Sequence, residues 1–244
     1  KFIKLFLTFS IGSIFLYGAN FFLIPVYTQV LDKAEFGQIE LISSLVAVVG
    51  IILSFGLPQV IFMEFFHLDK EKRAILLFRI ISIFGIVSVP LFITAFFITR
   101  LYSSQIFSGQ LDPLILALAF SSTALTFFQS IFISIQQITK KAKKLTIFQL
   151  LLGLLTLALN IYLIYYLRKG VWGYFVANFL VSLASFIFIV FDTFRKSDKS
   201  FVLNLKIRIK ELLPYFRLGF PFVLSAASLW LLAGADRWII LYFL

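Results

Sequence analysis

The sequence predicts an all-α protein, a polytopic bundle of transmembrane helices. Of its 244 residues, 61% are hydrophobic and 18% are aromatic, and the mean hydropathy is +1.03. Soluble domains are less apolar, with roughly half of their residues hydrophobic. The apolar residues are also gathered into long runs, and the Lys and Arg residues fall mainly between those runs. Composition, hydropathy and the placement of charged residues therefore all indicate a membrane protein.

Seven apolar runs have about the 20 residues that a helix needs to cross a bilayer. In chain order they are Leu5–Val30, Ile39–Phe62, Ala74–Thr99, Leu111–Ile135, Leu145–Leu167, Val171–Phe194 and Tyr215–Phe243. Pro25, Pro58, Pro90 and Pro221 lie inside or at the edge of these runs. Each proline removes a backbone hydrogen bond and favours a bend at its position.

The distribution of basic residues orients the bundle. Outside the runs, fifteen Lys and Arg residues, including Lys1 and Lys4 before the first run, fall on the side of the N-terminus, and four fall on the other side. The positive-inside rule therefore places the N-terminus in the cytoplasm. The net charge of +11 is explained by this topology, and no nucleic-acid partner is expected.

The longest polar connection divides the chain into three parts. Residues 1–194 are predicted to form a first six-helix bundle, and residues 195–214 a basic cytoplasmic linker. This linker fits either an interfacial helix on anionic lipid headgroups or a solvated segment. Residues 215–244 are predicted to be the first transmembrane helix of a second bundle. Because the chain starts without Met and stops in or just beyond an apolar run, we expect it to be part of a longer protein.

The sequence offers little for catalysis. It contains no Cys and one His, His67, and it lacks DxD, HExxH and GxSxG patterns. Catalysis usually needs positioned acid and base groups or a metal. We therefore expect no enzyme, no metal site and no cofactor.

Six polar residues within the apolar runs are the candidate binding residues, because polar groups inside a membrane are costly and often functional. They are Arg237, Asp236, Arg79, Asn20, Asn160 and Asn178. Each has a structural alternative. Asp236 and Arg237 could neutralise each other near the outer interface, and Arg79 could reach the cytoplasmic headgroups. The asparagines could hydrogen-bond neighbouring helices.

Several short segments carry a family resemblance. They are Pro25 and Tyr27 in the first run, the acidic residue before Phe36-Gly37, Gly56-Leu57, KKAKKL, GVWGYFVANF, and FP followed by ADRWIILYF in the seventh run. Their order and spacing resemble those of the bacterial polysaccharide transporters, whose superfamily also includes multidrug exporters. The resemblance covers nearly the whole chain. One departure is that such proteins often carry an arginine shortly after the glycine-leucine, where this chain has residues Gln59 to Glu64.

The resemblance implies a flippase of the bacterial cytoplasmic membrane, made of two six-helix bundles. By alternating access it would translocate a polyprenyl-pyrophosphate-linked oligosaccharide, such as an O-antigen unit, for surface polysaccharide synthesis. Arg237 would contact the anion, with Asp236 positioning it or acting as a protonatable switch. Arg79 is the next candidate, and the asparagines would contact sugar hydroxyls. Membrane lipids are expected partners, and H⁺ or Na⁺ is a possible coupling cation.

Three other functions fit parts of the sequence. A multidrug exporter of the same superfamily would need unpaired acidic residues in its cavity, and only Asp236 lies well inside a run. A membrane-embedded glycosyltransferase or polymer ligase would need catalytic groups and a larger outer loop. The third alternative is a structural scaffold without transport activity.

Overall fold

The computed structural model describes residues 2–69, 72–73, 75–86, 90, 93–94, 97, 112–196 and 213–243. Within these ranges the chain is helical and contains no β-strand. The helices are α1 (Phe2–Val30), α2 (Lys33–Ser54), α3 (Leu57–Glu64), α4 (Ile75–Ile86), α5 (Pro113–Ile138), α6 (Ala142–Asn160), α7 (Gly170–Lys196) and α8 (Leu213–Phe243). One 3-10 turn, Phe65–His67, follows α3, and a π-helical turn, Ile161–Tyr166, extends α6.

Six segments of the described chain are long and apolar enough to cross a membrane. They are Phe6–Val30, Lys33–Glu64, Pro113–Ile138, Ala142–Tyr166, Gly170–Asp192 and Leu213–Leu232. The shorter apolar helix α4 is the described part of the third predicted span, and much of the remainder up to Thr99 lies outside the described residues. The predicted all-α transmembrane bundle is confirmed. Most of the predicted linker, residues 197–212, also lies outside the described residues.

The second span is two helices rather than one. Phe55 and Gly56 adopt left-handed backbone conformations, with φ of 44° and 66°, and separate α2 from α3. Glycine reaches this conformation at little cost because it has no Cβ. Pro58 follows in the first turn of α3, where its missing N–H removes no helical hydrogen bond. The break therefore coincides with a predicted proline bend.

This break packs directly against α8. A Cβ on Gly56 would lie 2.5 Å from the carbonyl oxygen of Gly219, and a Cβ on Gly219 would collide with the carbonyl oxygen of Phe55. The ring of Phe55 also meets that of Phe216 edge to face, with centroids 4.9 Å apart. The backbones of the α2–α3 break and α8 can approach this closely only because both positions are glycine.

The apolar core contains three clusters, one toward the predicted outer side, one toward the predicted cytoplasmic side, and a third between α5 and α6 around Phe132 and Leu145. The outer cluster joins α1, α2, α5 and α7 around buried residues such as Leu23, Ile42 and Phe120. The cytoplasmic cluster joins α2 to α5 around Leu57, Ile80 and their neighbours. The most extensive helix pairs are α1 with α6 and α5 with α7. These contacts pack the described helices before α8 against one another.

Contacts at the two ends agree with the predicted topology. On the outer side, the Trp172 indole donates a hydrogen bond to the Asp112 carboxylate at 3.0 Å. This bond and the Leu114 backbone N–H lower the pKa of Asp112. On the cytoplasmic side, Lys144 pairs with Asp192. Each contact joins residues that the basic-residue count assigns to the same side.

We expect Gly56→Ala to destabilise the protein by about 1–3 kcal/mol, because alanine is strained at this φ and its methyl group would meet α8. Thermal unfolding of the purified protein in mild detergent measures the effect. Gly37→Ala is the control, since no heavy atom lies within 4 Å of its added Cβ. Equal melting temperatures for the two variants would contradict the close contact with α8.

Candidate functional site

A small polar cavity lies between α2, α5 and α7, with a volume of about 270 Å³. Thr123 is roughly 15 Å along α5 from its outer end, and Asn178 is roughly 12 Å along α7. These depths place the cavity near the middle of a hydrocarbon layer about 30 Å thick. Its polar lining consists of Ser43, Ser122, Thr123, Thr126, Asn178 and Ser182.

Several polar side chains of the cavity donate hydrogen bonds to backbone carbonyls of their own helices. Ser122 and Thr123 donate their hydroxyl hydrogens to the Ala119 carbonyl oxygen, at 2.8 and 3.0 Å. The side-chain amide nitrogen of Asn178 donates to the backbone carbonyl of Tyr174 at 2.9 Å. The Ser182 hydroxyl donates to the backbone carbonyl of Asn178, also at 2.9 Å. The hydroxyl oxygens of Ser122, Thr123 and Ser182 can therefore accept from a bound group, while Asn178 keeps its amide oxygen and a second amide hydrogen. An uncharged lining of hydroxyl and amide groups suits sugar hydroxyls better than a phosphate.

Asn160 belongs to a neighbouring buried network. It is 1% exposed, and its side-chain oxygen accepts a hydrogen bond from the Tyr27 hydroxyl at 3.1 Å. Its amide nitrogen donates to the Thr156 carbonyl at 2.9 Å. The Tyr27 ring packs edge to face on Tyr174, a cavity-lining residue, with centroids 5.7 Å apart. Asn160 therefore links α6 to α1, and through Tyr27 it contacts the cavity-lining residue Tyr174 indirectly.

Two other candidates lie away from the cavity. Asn20 is exposed on the surface of α1. Arg79 is partly buried and donates a hydrogen bond to the Tyr215 hydroxyl at 3.4 Å. This bond joins α4 to the cytoplasmic end of α8, so Arg79 has a structural contact in this conformation.

Asp236 and Arg237 lie on α8, but their side chains fall outside what the structure describes. Their helix is held against a cavity-lining helix. The Trp230 indole donates a hydrogen bond to the Ser44 carbonyl of α2 at 3.2 Å. Asp236 follows Trp230 by about 1.7 helical turns. The pair is thus carried by a helix in contact with α2.

Of the four predicted residues whose side chains the structure describes, Asn178 is the one that lines this cavity. The hydroxyl residues around it were missed, although their spacing gave a signal. Asn178, Ser182 and Ser185 recur at intervals of four and three residues and so share one face of α7. Ser122 and Thr126 repeat the pattern on α5. Within the described ranges, no group of three His, Asp or Glu side chains could hold a metal ion.

We expect Tyr27→Phe to lower the free energy of unfolding by about 0.6 kcal/mol, with an upper limit near 1.7 kcal/mol, since it removes one interhelical hydrogen bond. Unfolding in detergent measures this change, and Tyr166→Phe is the control because that ring is 72% exposed. In an Asn160→Ala background, Tyr27→Phe should cost less than in the parent protein. An undiminished cost there would show that the hydrogen bond is not the cause.

The geometry agrees with comparisons with known proteins. The fold is similar to the crystal structure of a proline-to-alanine MATE mutant, with 22% identity, a TM-score of 0.66, and coverage of 93% of this chain and 53% of that one. It is also similar to an outward-facing multidrug resistance MATE family transporter of the MOP superfamily, with 19% identity, a TM-score of 0.57, and coverage of 93% and 52%. MATE in complex with MaD3S gives 19% identity, a TM-score of 0.60, and coverage of 93% and 53%.

The chain spans about half the length of these solved structures. No curated protein matches it by sequence. The family described as polysaccharide biosynthesis protein matches residues 3–244, nearly the entire chain. The chain therefore belongs to the polysaccharide biosynthesis protein family, and its fold is that of the MATE transporters of the MOP superfamily.

Proposed function

We propose that this chain is part of a flippase that carries a polyprenyl-pyrophosphate-linked oligosaccharide across the bacterial cytoplasmic membrane. The observation that carries the proposal is the family match over residues 3–244, which connects a membrane bundle to polysaccharide biosynthesis. The likeness of the fold to transporters supports translocation rather than synthesis. Because the chain spans half of those structures, the activity belongs to the whole protein.

The oligosaccharide needs polar contacts to replace its water. Moving unpaired hydroxyl groups into hydrocarbon costs several kcal/mol, roughly 2–7 for each group. The cavity oxygens around Asn178 and Ser182 would accept hydrogen bonds from such hydroxyls. Asn160 would act indirectly through Tyr27 and Tyr174. Asn20, exposed on α1, would meet the substrate only if this surface faces the transport path.

The pyrophosphate needs a cation, and no charged side chain lines the polar cavity in the described residues. Arg237 fits this role because its planar guanidinium group offers five donors in a fixed geometry. The contact between Trp230 and Ser44 keeps its helix beside α2. Asp236 would position the guanidinium group or take up a coupling proton, with Na⁺ as the other possible coupling ion. Arg79 would contribute only after leaving Tyr215.

Alternating access would require α8 to move relative to the first bundle. The α2–α3 break touches α8 through Gly56 and Gly219. Loop-like residues at such a break can absorb the backbone rotation of a hinge. The contact is therefore a candidate pivot between this bundle and the one that α8 would begin.

A multidrug exporter is the second candidate, favoured by the likeness to a multidrug resistance transporter. A polar cavity can hold an organic cation. However, among the described residues that line the polar cavity there is no carboxylate, which would be the expected partner of a cationic drug in a dry site. The family match favours the oligosaccharide instead.

We expect Arg237→Ala to slow flipping of the lipid-linked oligosaccharide by about 10- to 100-fold, the loss expected for a charge-assisted hydrogen bond of about 1.5–3 kcal/mol. The assay uses the purified protein in vesicles, with substrate exposure measured over time. Arg237→Lys should retain part of the rate. Arg217→Ala, an exposed arginine on the same helix, is the matched control.

Two results would contradict this role. If Arg237→Ala flips substrate at the parent rate, Arg237 is not the anion contact. If instead the variant disappears from the membrane or melts much earlier, Arg237 and Asp236 form a structural pair. Transport of an organic cation without transport of the oligosaccharide would favour the exporter.

A further inference from the structure

A second and larger cavity lies at the cytoplasmic end of the bundle, outside the proposed transport site. This groove has a volume of about 710 Å³ and runs between the start of α6, Thr8 on α1 and Phe188 on α7. The volume is within the usual range for small-molecule sites, about 300–1,000 Å³. Its cytoplasmic end is lined by four lysines, Lys140, Lys141, Lys143 and Lys144, with Ala142 between the two pairs.

Below these lysines the groove is apolar. Ile147 and Leu151 follow at helical spacing on α6 and are 48% and 58% exposed. Phe188 of α7 lines the same groove. From the cytoplasmic end inward, the groove is first basic and then apolar. This order matches a phospholipid, whose phosphate lies at the headgroup level and whose acyl chain lies in the hydrocarbon. The concave shape distinguishes the groove from an ordinary lipid-facing helix surface.

Of the four lysines, one forms an ion pair within the protein. Lys144 is paired with Asp192 and lies over the Phe132 ring, 5.2 Å from its centroid. In the part of the chain that the structure describes, no salt bridge joins Lys140, Lys141 or Lys143 to a carboxylate. Three positive charges therefore remain for an anion. No side chain caps the N-terminus of α6, so its first-turn N–H groups add to the positive potential.

Lys140 has a left-handed backbone conformation that glycine adopts with less strain. It joins α5 to α6 with φ of 56°, and the Lys141 N–H closes the turn on the Gln136 carbonyl at 2.9 Å. Helix-ending positions of this kind usually carry glycine, since a Cβ is strained there. The chain places a cation at this strained position. A cation on this side agrees with the predicted topology, whereas the strained φ by itself would favour glycine.

We propose that this groove binds an anionic phospholipid of the cytoplasmic leaflet, with its phosphate at Lys140, Lys141 and Lys143 and an acyl chain along Ile147, Leu151 and Phe188. Basic residues near an anionic membrane surface each favour such lipids. Bound lipid would fill the surface between α1, α6 and α7. The site is independent of the proposed flippase substrate.

Lipid titrations of the purified protein in neutral detergent test this site. The probes are a short-chain phosphatidylglycerol, a short-chain phosphatidylcholine, a polyprenyl diphosphate and inorganic phosphate, and binding is followed by thermal stabilisation and native mass spectrometry. We expect phosphatidylglycerol to bind most tightly. In the Lys140→Gly, Lys141→Gln, Lys143→Gln variant its affinity should fall at least about tenfold, since each lysine contributes roughly fivefold.

Matched variants separate charge, groove and fold. Lys33→Gln, Arg168→Gln, Lys169→Gln removes three cations from the other side and should leave phosphatidylglycerol binding unchanged. Leu151→Trp should fill the groove and weaken binding, whereas Leu154→Trp, 53% exposed but outside the groove, should not. Lys140→Gly alone should keep or raise the melting temperature while weakening binding.

Three outcomes would overturn the proposal. The first is unchanged phosphatidylglycerol affinity in the triple Lys variant. The second is an equal loss in the outer-side variant, which would show nonspecific attraction. The third is tightest binding of polyprenyl diphosphate or inorganic phosphate, which would assign the lysines to substrate capture or to a simple anion.

Discussion

The structure depends on one constraint, that polar groups inside hydrocarbon must find their hydrogen-bond partners within the protein. Helices satisfy this constraint for the backbone, which accounts for the all-helical chain. Several side chains follow it too. Ser122, Thr123 and Ser182 donate to carbonyls of their own helices, and Asn160 joins Tyr27 to the Thr156 carbonyl.

The same constraint shapes the polar cavity. Where a hydroxyl hydrogen bonds to a helix carbonyl, as in Ser122, Thr123 and Ser182, the oxygen lone pairs remain for a bound group. The described lining of this mid-membrane cavity is polar but carries no charged side chain. It is thus chemically different from the basic groove at the cytoplasmic end, where uncapped N–H groups and lysines offer donors. The bundle thus has an uncharged polar cavity and a basic groove at two different depths.

The spans could be predicted because a bilayer fixes the length of an apolar helix, whatever its neighbours are. The break at Phe55–Gly56 could be anticipated only through Pro58, since both α2 and α3 are apolar and read as one run. The close contact between Gly56 and Gly219 was beyond prediction from one sequence. It depends on the packing of two segments that lie far apart in the sequence.

The candidate site was predicted less well for a physical reason. An amide or a charge in an apolar run is costly enough to draw attention, which is how Asn178 and Arg237 were identified. Serine and threonine can bond to their own helix almost anywhere, so single hydroxyls carry little information. Their spacing on α5 and α7 was informative, but only packing shows that both stripes face one cavity.

The most direct test of the central claim is the membrane face on which lipid-linked oligosaccharide accumulates when the protein is depleted in its host. Loss of a flippase should cause accumulation on the cytoplasmic face, with synthesis of the lipid-linked sugar intact. Accumulation of unpolymerised sugar on the outer face, or failure to make the lipid-linked sugar at all, would contradict it. Either result would replace translocation with a role in polymer handling or synthesis.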